Sequence, residues 1–154
     1  MNDNDDVPIR DAATVILLRE KKDSTYVLMG QRGNKAVFMP SKYVFPGGAV
    51  DEDDSKVKLF KSIDGKGIDL LHQYSKKKIA KELCVAAIRE LWEEAGLRLC
   101  AKVDEVGTIS PKWKDFCNGL YLPDASNLEY VFRAITPPGR PRRFDARFFI
   151  CRAE

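Results

Sequence analysis

Hydrophobic and polar positions along this chain change period twice. Residues 12–19 and 26–31 are β-branched or aliphatic runs separated by polar residues 20–25, a pattern that predicts two strands joined by a turn as an antiparallel pair. Residues 42–45 predict a short third strand, stopped by Pro46-Gly47-Gly48. From 75 to 96 the chain has no proline and no internal glycine and is rich in Lys, Ala, Glu and Leu, good helix formers. At about 100° per residue, Ile79, Leu83, Cys84, Ala87, Ile88, Leu91 and Ala95 share roughly half of the helix circumference. Ser75 is the expected N-cap and Gly96 the expected C′ residue. Strands are predicted again at 103–109, 129–136 and 146–150, divided by loops holding Pro111, Pro123 and Pro137-Pro138-Gly139.

Between the third strand and the helix, residues 51–75 are polar, with Gly65 and Gly67 inside, and read as an insertion loop with a short helix near 57–61. Strands, then one long helix, then strands imply a mixed α/β layer rather than a doubly wound βαβ fold. The apolar Phe148-Phe149-Ile150 is followed by only four residues, and a strand at the extreme end can be a sheet edge.

The helix carries an anomaly. Glu90 and Glu94 lie on the meridian of Ile79, Leu83 and Ala87, with Glu93 beside them, so the apolar stripe turns acidic in its last turns. Acids are disfavoured at a helix C-terminus, and an i, i+4 like-charge pair costs a few tenths of a kcal/mol more. A cation would offset both costs, and hard divalent ions such as Mg²⁺ take carboxylate oxygens completed by water and phosphates.

Composition narrows the field. A chain of 154 residues is one domain, with an insertion at about 51–75, and its 44% hydrophobic and 32% charged content is that of a globular protein. The net charge of +3 gives no reason to expect nucleic acid. A small nucleic-acid-binding domain would have to rest on Arg140, Arg142 and Arg143, without aromatic interleaving. Lys76 to Lys78 read as a solvated first helical turn, and Arg142 and Arg143 as structural or solubilising slightly ahead of a phosphate clamp. Cys84, Cys100, Cys117 and Cys151 form no CxxC pair, which argues against zinc, and Cys84 falls on the apolar stripe. Reduced thiols, an acidic N-terminus without a signal-peptide pattern and apolar runs too short to span a bilayer point to the cytoplasm and away from membranes. His72 reads as a surface residue.

Arg89-Glu90-Leu91-Trp92-Glu93-Glu94-Ala95-Gly96-Leu97 matches the pattern REUxEExGU, where U is a bulky aliphatic residue. With Gly48 in Phe45-Pro46-Gly47-Gly48-Ala49-Val50-Asp51, it resembles the Nudix box of the Nudix hydrolases. Asp54 stands where that box usually has Glu, and an insertion separates it from Arg89. Insertions there, and the segment from Thr136 to Phe149, resemble the branch that includes coenzyme A diphosphatases. The resemblance implies an α/β/α sandwich with a mixed sheet, here expected to lack the C-terminal strand and helix of the family. It implies a diphosphatase using Mg²⁺, with Mn²⁺ as a substitute. The Gly48 carbonyl, Glu90, Glu93 and Glu94 would ligate the metal, and Arg89 would hold a glutamate in position. A CoA-like substrate is favoured, with ADP-ribose, dinucleotides and nucleotide sugars open. Arg32 sits where the family often contacts phosphate, and an ordinary exposed arginine is the equal alternative. Trp92 is expected to pack beneath the insertion. A nucleotide-binding module without turnover is the second reading, with a homodimer expected if apolar sheet surface is left exposed.

Overall fold

The computed structural model of the protein describes residues 7–35 and 40–153. In chain order the elements are β1 (Ile9–Lys21), β2 (Ser24–Val27), β3 (Gly30–Gln31), β4 (Tyr43–Val44), β5 (Gly47–Ala49), a 3₁₀ turn (Glu52–Lys56), α1 (Gly65–Gln73), α2 (Ala80–Ala95), β6 (Cys100–Lys102), a second 3₁₀ turn (Pro111–Trp113), α3 (Lys114–Cys117), β7 (Tyr121–Pro123), β8 (Glu129–Ile135) and β9 (Arg143–Ala153). The acidic N-terminus, residues 1–6, lies outside the described residues.

The main sheet runs β2-β1-β9-β8, with β5 also paired to β1. β1 and β2 form the expected antiparallel hairpin. β1 and β9 are parallel over their whole shared length, while β8 and β5 run antiparallel to their partners, so the sheet is mixed. The last strand is therefore no edge. It is paired on both sides, and its odd-numbered residues from Asp145 to Cys151 are buried. Period 2 sends Ala13, Val15 and Leu17 of β1 to the same face.

On that face lies α2. Leu83, Cys84, Ala87, Ile88 and Leu91 are buried as the helical pattern requires, but so are Val85 and Ala86. The helix is covered on its far side as well, by Ile63 and Leu71 of the segment before it and by Trp113 and Phe116 after it. Each large aliphatic side chain buried here stabilises the fold by about 1.5–3 kcal/mol. Burial pushes the Cys84 thiol up to about 12, so it is an inert core residue.

Several local expectations change. The helix starts at Ala80, not at Ser75: Ser75 makes a tight turn with Lys77 through its hydroxyl, and Lys76 to Lys78 are not helical. The helix expected near 57–61 forms instead at Gly65–Gln73, because the Asp64 carboxylate caps it by accepting from the Gly67 N–H at 2.6 Å. The third strand does stop before Pro46, as β4, and the glycine pair then forms a strand of its own, β5. Of 103–109 nothing is strand, and the pairing falls earlier, at Cys100–Lys102 with β7. Ala95 is exposed, and Gly96 closes α2 at φ 68° in the left-handed region that glycine enters freely.

A buried ion network ties the turn before α2 to the sheet. Arg147, 1% exposed, donates to Asp11 at 2.7 Å and to the Asp145 carbonyl at 2.7 Å, and Arg133 forks onto the Asp145 carboxylate while reaching the Tyr74 carbonyl at 2.7 Å. Burial works against the Asp11 charge, but Lys77 and Arg147 overcome it and hold its carboxyl below the usual range. On the opposite face of the sheet, Thr14, Ile16, Phe148 and Ile150 are only half-buried, and among the described residues α1 and α2 both pack on the other side.

Candidate active site

Two glycines bring the acidic end of α2 against the sheet. β5 pairs with β1 through Gly48↔Ala13 and Gly47↔Thr14. A Cβ on Gly48 would lie 2.4 Å from Glu90 Oε1, so only glycine lets that carboxylate come so close. The Gly47 N–H donates to Glu94 Oε2 at 3.2 Å. Substitution separates the two glycines. At Gly47 a methyl would meet the Ala13 carbonyl oxygen at 2.7 Å and Thr14 Cα at 2.8 Å, backbone atoms fixed in the sheet. Gly47→Ala is expected to cost about 1–3 kcal/mol of stability, measured as a lower urea midpoint. In Gly48→Ala the three atoms nearest the new methyl all belong to the end of the Glu90 side chain, so its midpoint should fall less while turnover falls with Glu90 displaced. Equal losses of stability would contradict this geometry.

Behind the carboxylates stands Arg89, 8% exposed. Its Nε and Nη2 fork onto Asp54 at 3.0 and 3.1 Å, and Nη2 also donates to the Ala49 carbonyl at 2.8 Å. Its Nη1 donates to Glu90 Oε1 at 2.6 Å and Glu93 Oε2 at 3.3 Å. Burial opposes the guanidinium charge, but Asp54 and Glu90 reverse that effect and raise its pKa. Asp54 is fully buried, positioned by the first 3₁₀ turn, where it also accepts from the Asp51 N–H at 2.8 Å in a capping box. The insertion thus leaves Asp54 and Arg89 in direct contact across 35 positions of sequence.

Glu90 and Glu94 face one cavity of about 680 Å³, which Arg32, Arg142, Gly47 and Gly48 also line. Burial raises the pKa of Glu90, against the pull of Arg89. It raises that of Glu94 too, against the Gly47 N–H and the nearby Arg32. Among the described residues Arg32 Nε is shielded from solvent and has no hydrogen-bond partner, an unmet donor of the kind that is costly to leave so. Glu93 is half-exposed and turned to Arg89. Among the described residues no three His, Cys, Asp or Glu side chains form a ready metal cage. Arg89 occupies the space between Glu90 and Glu93. Even so, the groups suit a hard divalent ion: a largely buried carboxylate, Glu90, and a more exposed one, Glu94, beside backbone that lacks a Cβ.

The rest of the cavity is apolar, walled by Tyr43, Phe45, Ile135, Phe144 and Phe148. Sequence reasoning did not anticipate this wall, although period 2 along residues 144–148 could have separated it from the buried odd positions. Arg142, read as structural, lines the cavity, whereas Arg143 does donate structurally, to the Thr136 carbonyl at 3.2 Å. Trp92 packs edge-on to Phe116 at 5.9 Å with Arg98 over its ring at 4.6 Å, so α3 rather than the insertion covers it. His72 is half-buried, and its shielded Nε2 has no hydrogen-bond partner among the described residues.

A mixed-sheet α/β domain with an acidic helix end over a glycine-bounded cavity defines the class. The crystal structure of a Nudix hydrolase from Alicyclobacillus acidocaldarius has the same fold, with a TM-score of 0.73 and 26% identity over 97% of this chain and 72% of its own. A second solved Nudix hydrolase, RenU from M. smegmatis, aligns at a TM-score of 0.42 and 14% identity over 94% of this chain and 61% of its own. In sequence, the chain is 29% identical over 153 residues to a Caenorhabditis elegans protein with the provisional name nudix hydrolase 7. That alignment takes in 92% of this chain but 43% of the relative, so the chain spans less than half of that protein's length. No protein-family model matches the chain. The fold is the Nudix fold, and the sequence likeness supports the same family.

Proposed function

We propose that the chain is a Nudix-type diphosphatase, a hydrolase of phosphorus anhydrides that splits a nucleoside diphosphate linked to another moiety into two phosphorylated products. The observation that carries this is the convergence of Glu90, Glu94, Gly48 and Arg32, whose Nε has no hydrogen-bond partner among the described residues, on one cavity. Both relatives with useful overlap are named Nudix hydrolases, which supports the same reading. The cofactor is Mg²⁺, with Mn²⁺ able to replace it. Glu90, Glu94 and the Gly48 backbone would hold it, with Glu93 completing the set. When bound, the metal neutralises phosphate oxygens and acidifies a water.

The chain's own residues do the rest. Arg89 keeps Glu90 against Gly48 and is itself kept by Asp54. Arg32 offers its free Nε–H to a phosphate oxygen. Tyr43, Phe144 and Phe148 present flat apolar surface to a base or an acyl-like group and exclude water from that side. A CoA-like substrate is favoured, on the insertion at 51–75 and the segment from Thr136 to Phe149; ADP-ribose and nucleotide sugars are the next candidates. Self-association along β8, where Val131, Phe132 and Ile135 are exposed, belongs to the same reading.

One observation favours a second reading, a Nudix-fold nucleotide-binding module. Arg89 already donates to two of the three acids, and no cluster of three metal-ligating side chains occurs among the described residues. Thermal shifts with Mg²⁺ and CoA or ADP-ribose, followed by detection of phosphorylated products, decide between them. Products that depend on added Mg²⁺ are expected; stabilisation with no product would replace the hydrolase by the binding module.

A further inference from the structure

The last turn of α2 is not held by the core. Residues 93–97 are all exposed, so none of their side chains is seated among the packed layers. Glu93 and Glu94 belong to this stretch. They sit at the helix end where the backbone already carries partial negative charge, and the turn has no basic residue of its own to offset them. Its backbone closure is the Gly96 N–H donating to the Trp92 carbonyl at 2.9 Å. Helix ends with so few tertiary contacts open easily.

The two residues that flank the stretch close over it. Trp92 stands just before it and Arg98 just after, and the Arg98 guanidinium lies over the Trp92 ring at 4.6 Å. The same guanidinium lies over the Tyr121 ring at 5.5 Å and donates from Nη1 to the Asn118 carbonyl at 3.1 Å. These partners are themselves fixed. Trp92 meets Phe116 edge-on, and the buried Phe116 meets Trp113 at 4.9 Å. Tyr121 is paired with Lys102 between β6 and β7. The turn that Arg98 grips is tight, with Gly119 and Leu120 both at positive φ and the Val103 N–H donating to the Leu120 carbonyl at 2.8 Å. Trp92, Arg98 and Tyr121 do not line the cavity that Glu90 and Glu94 face, so the clamp acts from behind the acids.

We propose that Arg98 is a positioning residue for the metal site. Stacked on Trp92 and tied to the 118–121 turn, it staples the two ends of residues 93–97 and so keeps Glu94 against Gly47 and Glu93 beside Arg89. A planar guanidinium gains from both ring faces, and its charge lies just past the negative end of the helix. The proposal rests on the diphosphatase reading for the metal and adds what holds the acid-bearing turn in place.

Two measurements on the intact chain test it, and neither needs turnover. Amide hydrogen exchange across 93–97 reads the opening of the turn, and calorimetry with Mn²⁺ alone reads metal affinity. Arg98→Ala should speed exchange across 93–97 and weaken Mn²⁺ binding, each by about threefold or more, with exchange in β1 and β9 changing less. Arg98→Lys keeps the charge but not the plane and should fall between, and it carries the same two predictions if the Ala variant does not fold. Charge by itself predicts the opposite sign, since removing a nearby cation would tighten Mn²⁺ binding. Tighter or unchanged binding in the variants would therefore overturn the positioning role and leave the diphosphatase reading intact. Weaker binding with unchanged exchange across 93–97 would overturn the staple. Failure of wild type to bind Mn²⁺ would count against the metal itself, and the positioning role would fall with it.

Discussion

Replacing Glu94 with Gln is expected to lower metal-dependent turnover at least about a hundredfold while leaving the fold intact. Its carboxylate accepts one long hydrogen bond, from Gly47, and is otherwise turned to the cavity. Stability should change by about 0.5 kcal/mol or less, as at other surface positions. Glu90→Gln should cost as much turnover and more stability, because Glu90 Oε1 also receives a 2.6 Å bond from Arg89. The measurement is a Mg²⁺ titration of product formation for wild type and each variant, with melting temperatures recorded in parallel. Full activity in Glu94→Gln with an unchanged Mg²⁺ requirement would remove Glu94 from the metal set. A raised Mg²⁺ requirement with an unchanged plateau would make it a ligand without a part in the chemical step.

The largest stability effect is expected at Arg89. Truncation to Ala leaves Asp54 fully buried with its guanidinium partner gone, and an uncompensated buried charge costs about 3–5 kcal/mol. The Ala49 carbonyl loses its donor at the same time. Pairing the change with Asp54→Asn should restore part of the loss, because the second substitution removes the stranded charge. Urea unfolding of the two single variants and the double variant reads the coupling directly. Strict additivity would mean that the 3.0 and 3.1 Å contacts do not couple the two residues. Recovered stability need not bring recovered turnover, since Arg89 also anchors Glu90. The two readouts therefore separate its structural role from its positioning role.

Much of the candidate site was legible in one dimension because helical spacing is short-range. Glu90, Glu93 and Glu94 lie within two turns, so their shared face followed from angle alone, and Gly96 marked the helix end through its conformational freedom. β1 and β9 were visible as apolar runs, and Cys84 as core. What stayed hidden depends on contacts between distant positions. Nothing in the local pattern said that the last strand would lie beside the first, since strand pairing is chosen by the whole sheet. Nor did it say that Asp54 would meet Arg89, because the 3₁₀ turn that aims it is held by Asp51, and the insertion folds as α1 beside the contact rather than within it.

By itself, then, the sequence determined the acidic helix end, the glycine pair and the alternation of the sheet, all set by backbone period and the geometry of single residues. Only the tertiary structure decided which of those acids meet Arg89 and which meet the cavity. It also set Phe144 and Phe148 on the wall of that cavity, because parallel pairing of β1 with β9 brings the last strand beside the first.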